Sequence, residues 1–334
     1  MSMKAGKRKI RWCSLLLMLP ILTGFICLCI GRVPIHPAEV FGTITGSSQI
    51  SDMTRMTIWN LRLPRILLAA LTGAGLSAAG CAFQSLFANP LATPDTLGVA
   101  SGASFGAALG LLLGLPLLGV QLTALLMGVA AVGLTWLAGT GKSKGLSTVV
   151  LAGIMMGSLF NALVSLVKFI ADEESQLPAI THWLMGGLNT AAFETLLLGA
   201  PPILLGILML YLLRWRMNLL PLSEDEARSS GVNISVLRGI TVLCATMITA
   251  SCVSMCGQVG WVGLLVPHMC RMKFGSNHLT LLPASISFGA AFLIIVDTVA
   301  RSACPQEIPI SILTAIIGAP SFITLMRKSG GWSL

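Results

Sequence analysis

Long apolar runs, broken by short polar stretches, set the pattern of this chain. Ten of them approach the roughly 20 residues that a helix needs to cross a hydrocarbon core. They are 12–30, 64–86, 95–115, 117–138, 147–170, 194–213, 237–256, 259–270, 281–300 and 308–326. The eighth is short, which fits a tilted, broken or partly inserted helix. Backbone groups in lipid need internal partners, and these runs are far too long for barrel strands, so they read as helices. The pattern predicts an all-α integral membrane protein of ten transmembrane helices. Polar stretches at 31–63 and 171–193 fall on one side, and 139–145 and 214–238 on the other. With no soluble lobe between them, residues 1–334 are expected to form one transmembrane domain.

Composition agrees. Hydrophobic residues make up 55% and charged residues 10%, and mean hydropathy is +0.87; a soluble domain carries about 25% charged residues. The net charge of +9 invites a nucleic-acid reading, but its distribution answers it. With a cytosolic N-terminus, six of the 21 Lys and Arg residues fall on the far side: Arg32, Arg55, Arg62, Arg65, Lys168 and Arg301. The remainder sit at cytosolic ends and loops, as the positive-inside rule requires. Ten spans return the C-terminus to the cytosol with Arg327 and Lys328. No nucleic-acid partner is expected. The basic and apolar N-terminus is long for a signal sequence and lacks a small-x-small cleavage site, favouring an uncleaved first span. Nine cysteines are scattered at spacings that match no usual metal site.

The third run carries Gly98, Gly102, Gly106, Gly110 and Gly114, one every fourth residue. Small-xxx-small rows let helix backbones approach closely in lipid, so this row is expected to be a packing seam. A loose pattern also recurs. Leu61-Arg62 opens a run ending near Gly80, Gln84 and Pro90; Leu237-Arg238 opens one ending near Gly257, Gln258 and Pro267. The two would have opposite orientations, as in inverted-repeat transporters.

The polar stretch at 214–238 has helix signals of its own. Ser223 and Glu226 form a capping box. Glu224, Asp225 and Glu226 suit a helix N-terminus and Arg228 the other end, while Gly231 suits a left-handed stop. A simple turn needs few residues, so a small folded knob outside the bilayer is expected to receive a partner.

Catalysis has no candidate residues. Gly139-Thr-Gly-Lys-Ser143 resembles the end of a phosphate-binding loop, but Trp136 stands where the cradle needs glycine and a membrane helix precedes it. His268 lies near Arg271 at a helix end without a second ligand at metal spacing; His36, His182 and His278 are lone loop residues. Ionisable groups inside spans usually mark ion pathways. Here Lys168 and Asp297 lie near outer ends, and Asp297 is four residues before Arg301, the spacing of a pair on one helix face. An ion-coupled carrier needs a buried relay, so external energy input is the better reading; a channel or structural component would pump nothing. Arg62, Arg65 and Arg301 defy the positive-inside bias. They either snorkel to headgroups or receive acidic groups of a partner.

Arg62-Leu-Pro-Arg65, Gly73-Ala-Gly75, Asn89-Pro90-Leu91-Ala92-x-Pro94-Asp95 and Leu97-Gly98-x-x-x-Gly102-Ala103 resemble the permease subunits of iron–siderophore, haem and cobalamin ABC importers. So do Gly257-Gln258-Val259, Val266-Pro267-His268-x-x-Arg271, Asp297-x-x-Ala300-Arg301, Glu307-Ile308-Pro309 and Leu313-Thr314-Ala315-x-Ile317-Gly318-Ala319-Pro320. The resemblance covers nearly the whole chain in order. It implies a cobalamin-permease-like bundle in the bacterial cytoplasmic membrane, with both termini cytosolic. It also implies a homodimer or heterodimer of permeases, two cytosolic ATP-binding subunits and an extracytoplasmic substrate-binding protein. ATP would be used by the partner, with no cofactor bound by this chain. Family permeases meet their ATPases through a Leu-Gly-x-x-x-Ala-x-x-Leu-Gly-like loop. Leu222-Ser-Glu-Asp-Glu-Ala227-Arg-Ser-Ser-Gly231 stands there, with Ser223 and Ser230 replacing the usual Gly and Leu. The resemblance thus assigns coupling to Ser223, Glu224, Glu226, Ala227, Arg228 and Gly231, and binding-protein docking to Arg62, Arg65 and Arg301. A largely neutral pathway suits a bulky chelate moved whole by alternating access better than a bare ion. Family breadth puts iron–siderophore first, with haem and cobalamin behind.

Overall fold

The computed structural model describes residues 16, 18–47, 50–139, 146–222, 226, 229 and 231–328, and these contain helices and no strand. In chain order they form α1 (Met18–Cys29), α2 (Pro37–Thr45), α3 (Asp52–Leu86), α4 (Val99–Leu112), α5 (Leu117–Gly139) and α6 (Leu146–Ile170). Then follow α7 (Gln176–Leu184), α8 (Phe193–Leu213), α9 (Ile234–Cys256), α10 (Val262–Phe274), α11 (His278–Ala303) and α12 (Ile310–Lys328). Six of them are long and apolar enough to cross a membrane: α3, α5, α6, α8, α9 and α11. Shorter apolar helices are α1, α4 and the 310–324 part of α12. Among the described residues each of the ten apolar runs overlaps a helix. The eighth is the 13-residue α10, preceded by irregular backbone at 257–260.

Two polar stretches hold more structure than their sequence promises. The stretch 31–63 contains α2 and the start of α3. His36 is the N-cap of α2: its Nδ1 accepts from Ala38 N at 3.4 Å, and Glu39 Oε2 accepts from His36 N at 3.1 Å. α3 then runs unbroken for 35 residues through a π-helical segment at Thr57–Arg62. The stretch 171–193 contains α7.

Burial ranks the long helices. In their most apolar windows, 83% of α3 and 78% of α9 is buried, against 28% of α6 and 22% of α8. α3 packs against α8, α9, α10 and α11, and α4 packs against α5 and α6. The helices carrying the recurring pattern are therefore the two most buried, and they touch each other.

Missing side chains allow the tightest contacts. A Cβ at Gly80 of α3 would lie 1.8 Å from the Gly263 carbonyl oxygen of α10, and one at Gly73 would lie 2.2 Å from the Gly289 oxygen of α11. In the glycine row, a Cβ at Gly102 would meet Ala131 at 2.5 Å, at Gly106 the Thr123 oxygen at 2.3 Å, and at Gly110 the Thr123 hydroxyl at 2.7 Å, all on α5. Gly98 faces α6 instead, 3.2 Å from Gly157 N by the same measure. Gly114 corrects the expectation: it lies beyond the helix in a turn at φ 65°, with nothing among the described residues within 4 Å of its would-be Cβ.

Candidate functional site

α1 and α11 end side by side, and their C-termini explain the arginines gathered there. The last carbonyls of a helix lack intrahelical donors and carry partial negative charge. Arg62 donates from Nη1 to the Leu28 oxygen at 2.6 Å and from Nη2 to the Val33 oxygen. Arg301 donates from Nη2 to the Cys27 oxygen at 2.6 Å. Two cations thus close the end of α1. Arg32, just past α1, returns the service to α11: Nε donates to the Arg301 oxygen at 3.2 Å, and Nη2 to the Cys304 and Pro305 oxygens at 3.0 and 2.7 Å. Gly31 leaves the space this needs, since a Cβ there would lie 2.7 Å from Arg62 Nη2.

Arg65 is held differently. Its Nε donates to both oxygens of Asp297 at 2.9 and 3.1 Å, and Nη1 donates to Glu307 Oε2 at 2.9 Å. Asp297 is 0% exposed, so its charge needs this close partner. The pairing expected between Asp297 and Arg301 is secondary: Arg301 Nε stands 3.9 Å from Asp297 Oδ2. Interhelical geometry brings Arg65 into contact where sequence spacing pointed to the same-helix arginine. Glu307 lies in the 304–309 connection to α12 at φ 53°, a left-handed conformation unusual for a residue with a Cβ. Arg32, Arg62, Arg65, Arg301 and Glu307 line a cavity of about 460 Å³. The three arginines expected to face a partner's acids are therefore brought together, each already engaged with acceptors of its own chain.

The opposite ends of α8, α3 and α11 meet at the root of the 214–238 stretch. A 3-10 turn at Arg216–Leu219 follows α8. Asn218 Oδ1 accepts from His278 N at 3.0 Å and contacts His278 Nδ1 at 3.0 Å. Ser85 of α3 donates to the Met217 oxygen at 2.9 Å. The root is thereby fastened to two core helices, through residues whose role no local motif announces. In the stretch itself, Ser229 Oγ donates to the Glu226 oxygen at 2.7 Å, Gly231 takes φ 70°, and Asn233 caps α9 by accepting from Val236 N at 3.2 Å. Ser223, Glu224, Ala227 and Arg228 lie outside the described residues.

Between the ends is a cavity of about 220 Å³ lined by Thr93, Asp95, Thr249, Gln258 and Trp261, among others. Gln258 Nε2 donates to Ser104 Oγ at 2.9 Å, and Gln84 of α3 donates to the Leu264 oxygen at 3.4 Å. Gln84 thus bridges α3 and α10, and Gln258 ties the 257–260 connection to α4. Trp261 takes φ 66° just before α10, and a Cβ at Gly318 of α12 would lie 2.8 Å from its ring. His268 sits inside α10 and packs against Phe322, ring centroids 5.5 Å apart.

This architecture belongs to a multi-pass membrane permease. Residues 17–328 match the FecCD transport family, and the chain belongs to it. It is 40% identical over 317 residues to the molybdate import system permease protein MolB of Haemophilus influenzae, covering 94% of each chain. It is 36% identical over 288 residues to a probable iron chelatin transport system permease protein of Helicobacter pylori, covering 85% of this chain and 86% of the other. Among solved structures, one described as an inward-facing conformation of a putative metal-chelate type ABC transporter matches with a TM-score of 0.87 at 40% identity, over 95% of this chain and 98% of that one. The chain is an ABC transporter permease of this family, a class of subunit that works with ATPase subunits.

Proposed function

We propose that this permease moves a metal chelate of the iron–siderophore type across the bacterial cytoplasmic membrane by alternating access. The single observation that carries the reading is the inward-facing metal-chelate type transporter, which shares the fold along 95% of the chain. The relative named for iron chelatin transport adds to it. Residues 1–334 form one domain of ten spans with both termini cytosolic, paired with an identical or related permease. Two cytosolic ATPases dock on the 214–238 stretch through Ser223, Glu224, Glu226, Ala227, Arg228 and Gly231. The tether of its root to α3 and α11 supports this, because a pull on the knob reaches core helices directly. An extracytoplasmic binding protein delivers cargo to the arginine-bearing end.

A second reading is import of molybdate, a small oxyanion, favoured by the 40% identity to the molybdate permease. Proteoliposomes holding this permease, its ATPase and its binding protein separate the two. The first reading predicts ATP-dependent uptake of radioiron–siderophore that excess molybdate leaves unchanged. Uptake of labelled molybdate with none of the chelate overturns it in favour of the second.

A further inference from the structure

We propose that Glu307 is an internal competitor for the docking partner: it occupies Arg65 in the free permease, and an incoming acidic side chain takes its place. This inference rests on the reading that a binding protein docks at the arginine-bearing end.

The four arginines there are not equivalent. Arg62 and Arg301 donate to main-chain carbonyls of α1, and Arg32 donates to those at the end of α11. Releasing any of them leaves helix-end carbonyls without donors, which opposes exchange. Arg65 is bound on one side to Asp297, which is wholly buried and cannot leave without stranding a charge. Its other side is bound to Glu307, whose side chain is about a third exposed and borders the open cavity. Of the two carboxylates that hold Arg65, Glu307 is the one that can part and leave both members satisfied afterwards: Glu307 by water and Arg65 by another carboxylate.

The backbone favours the same exchange. Glu307 holds φ 53°, a conformation that costs a residue with a Cβ about 1 kcal/mol or more. The conformation is held by the carboxylate contact with Arg65, with Arg32 Nη2 at 3.9 Å beyond, and by Glu307 N donating to the Cys304 oxygen at 3.3 Å. Parting from Arg65 therefore removes one of the contacts that hold it. The segment leads straight into α12, and just after Glu307 it is hydrogen-bonded to two other elements, Ile308 N to the Ala300 oxygen at 3.2 Å and Ile310 N to the Gly186 oxygen at 3.1 Å. Replacement of Glu307 by a partner's acid would thus be felt in α11, in α12 and in the turn after α7. The partner surface that fits presents a carboxylate, and binding weakens with salt, since exposed charge pairs are screened.

The test uses the full permease with its ATPase in nanodiscs and hexaglutamate as the acidic probe, with hexaglutamine as the neutral control. Glu307→Gln removes the competing charge, and Glu307→Gly also relieves the left-handed backbone, so the second variant guards against misfolding of the first. Both are expected to bind hexaglutamate about three- to tenfold more tightly than the parent, the scale of one ordinary net hydrogen bond. Hexaglutamine binding should not change. Arg65→Gln combined with Asp297→Asn, which neutralises the buried pair together, should lose the hexaglutamate affinity. If that double variant binds like the parent, docking at Arg65 is itself wrong. If it loses binding while neither Glu307 variant gains, docking stands and the exchange is overturned.

Discussion

Two regions hold this bundle by opposite means. Where α3 meets α10 and α11, contact depends on atoms that are absent: Gly80 and Gly73 let backbones lie against the Gly263 and Gly289 carbonyls. At the arginine-bearing end, contact depends on the longest polar side chains available, which reach across helices to capture carbonyls and carboxylates. In lipid, apolar surface gives helices little reason to prefer one another over the chains around them, so association relies on close packing and polar bonds. The glycine contacts fix distance through backbone atoms. The arginine contacts fix charge and can, at Glu307, change partners. Rigidity at Gly80 and exchangeability at Arg65 are thus separated along the same helix, α3, by about four turns at 3.6 residues per turn.

The largest effect should come from breaking the glycine contact. Gly80→Val places methyl groups on a backbone carbonyl that no rotamer change can move aside, with an expected cost above about 3 kcal/mol. Thermal unfolding in detergent should show a severe loss of folded protein. Gly133, whose would-be Cβ meets nothing within 4 Å among the described residues, is the control, and Gly133→Ala should leave stability unchanged or slightly raised. Next comes the buried charge. Asp297→Ala leaves the guanidinium of Arg65 with one carboxylate in place of two, for an expected loss of about 3–5 kcal/mol. Arg65→Leu added to it should recover part of that loss, which a double-mutant cycle measures.

Helix-end capping is expected to be smaller. Arg62→Leu leaves the Leu28 and Val33 oxygens without this donor and should cost about 1–3 kcal/mol. Hydrogen exchange at the end of α1 should report it before global stability does. The smallest effect concerns Asp172, in the turn after α6. Hydrogen bonds from the Ser175 hydroxyl and amide hold its carboxyl below the usual aspartate range. A depressed value means the turn is favoured above the ordinary aspartate range and loosened as pH falls through the folded value. Because Asp172 is fully exposed, acidification should change local amide exchange near 172–176 and leave the unfolding temperature alone.

The legible parts of this chain were those whose physics is one-dimensional. Span length fixed where the apolar helices lie, and the every-fourth glycines of α4 face a neighbouring helix at Gly102, Gly106 and Gly110 as their spacing implied. Gly114 misled because spacing does not say where a helix stops. The close glycine contacts at Gly73 and Gly80 carry no such row in both partners and depend on which helices meet. The arginines were visible as departures from the positive-inside rule, but the rule counts charge and not helix ends. A sequence does not show that α1 and α11 finish together, so the reason for Arg32, Arg62 and Arg301 appears only with the fold. Asp297 was matched to Arg301 at i, i+4 because that neighbour is certain from sequence; Arg65 is 232 residues away. Asn218 and His278 anchor the root of the 214–238 stretch and match no motif at all.

Under the proposed function, the driving force for transport comes from ATP hydrolysed by a partner subunit. Proteoliposomes should be prepared with the permease, its ATPase and its binding protein, and uptake of labelled chelate followed with ATP supplied on the ATPase side and with a protonophore added. The account predicts uptake that requires both ATP and the ATPase and survives the protonophore. Uptake that continues without the ATPase and collapses with the protonophore would contradict it.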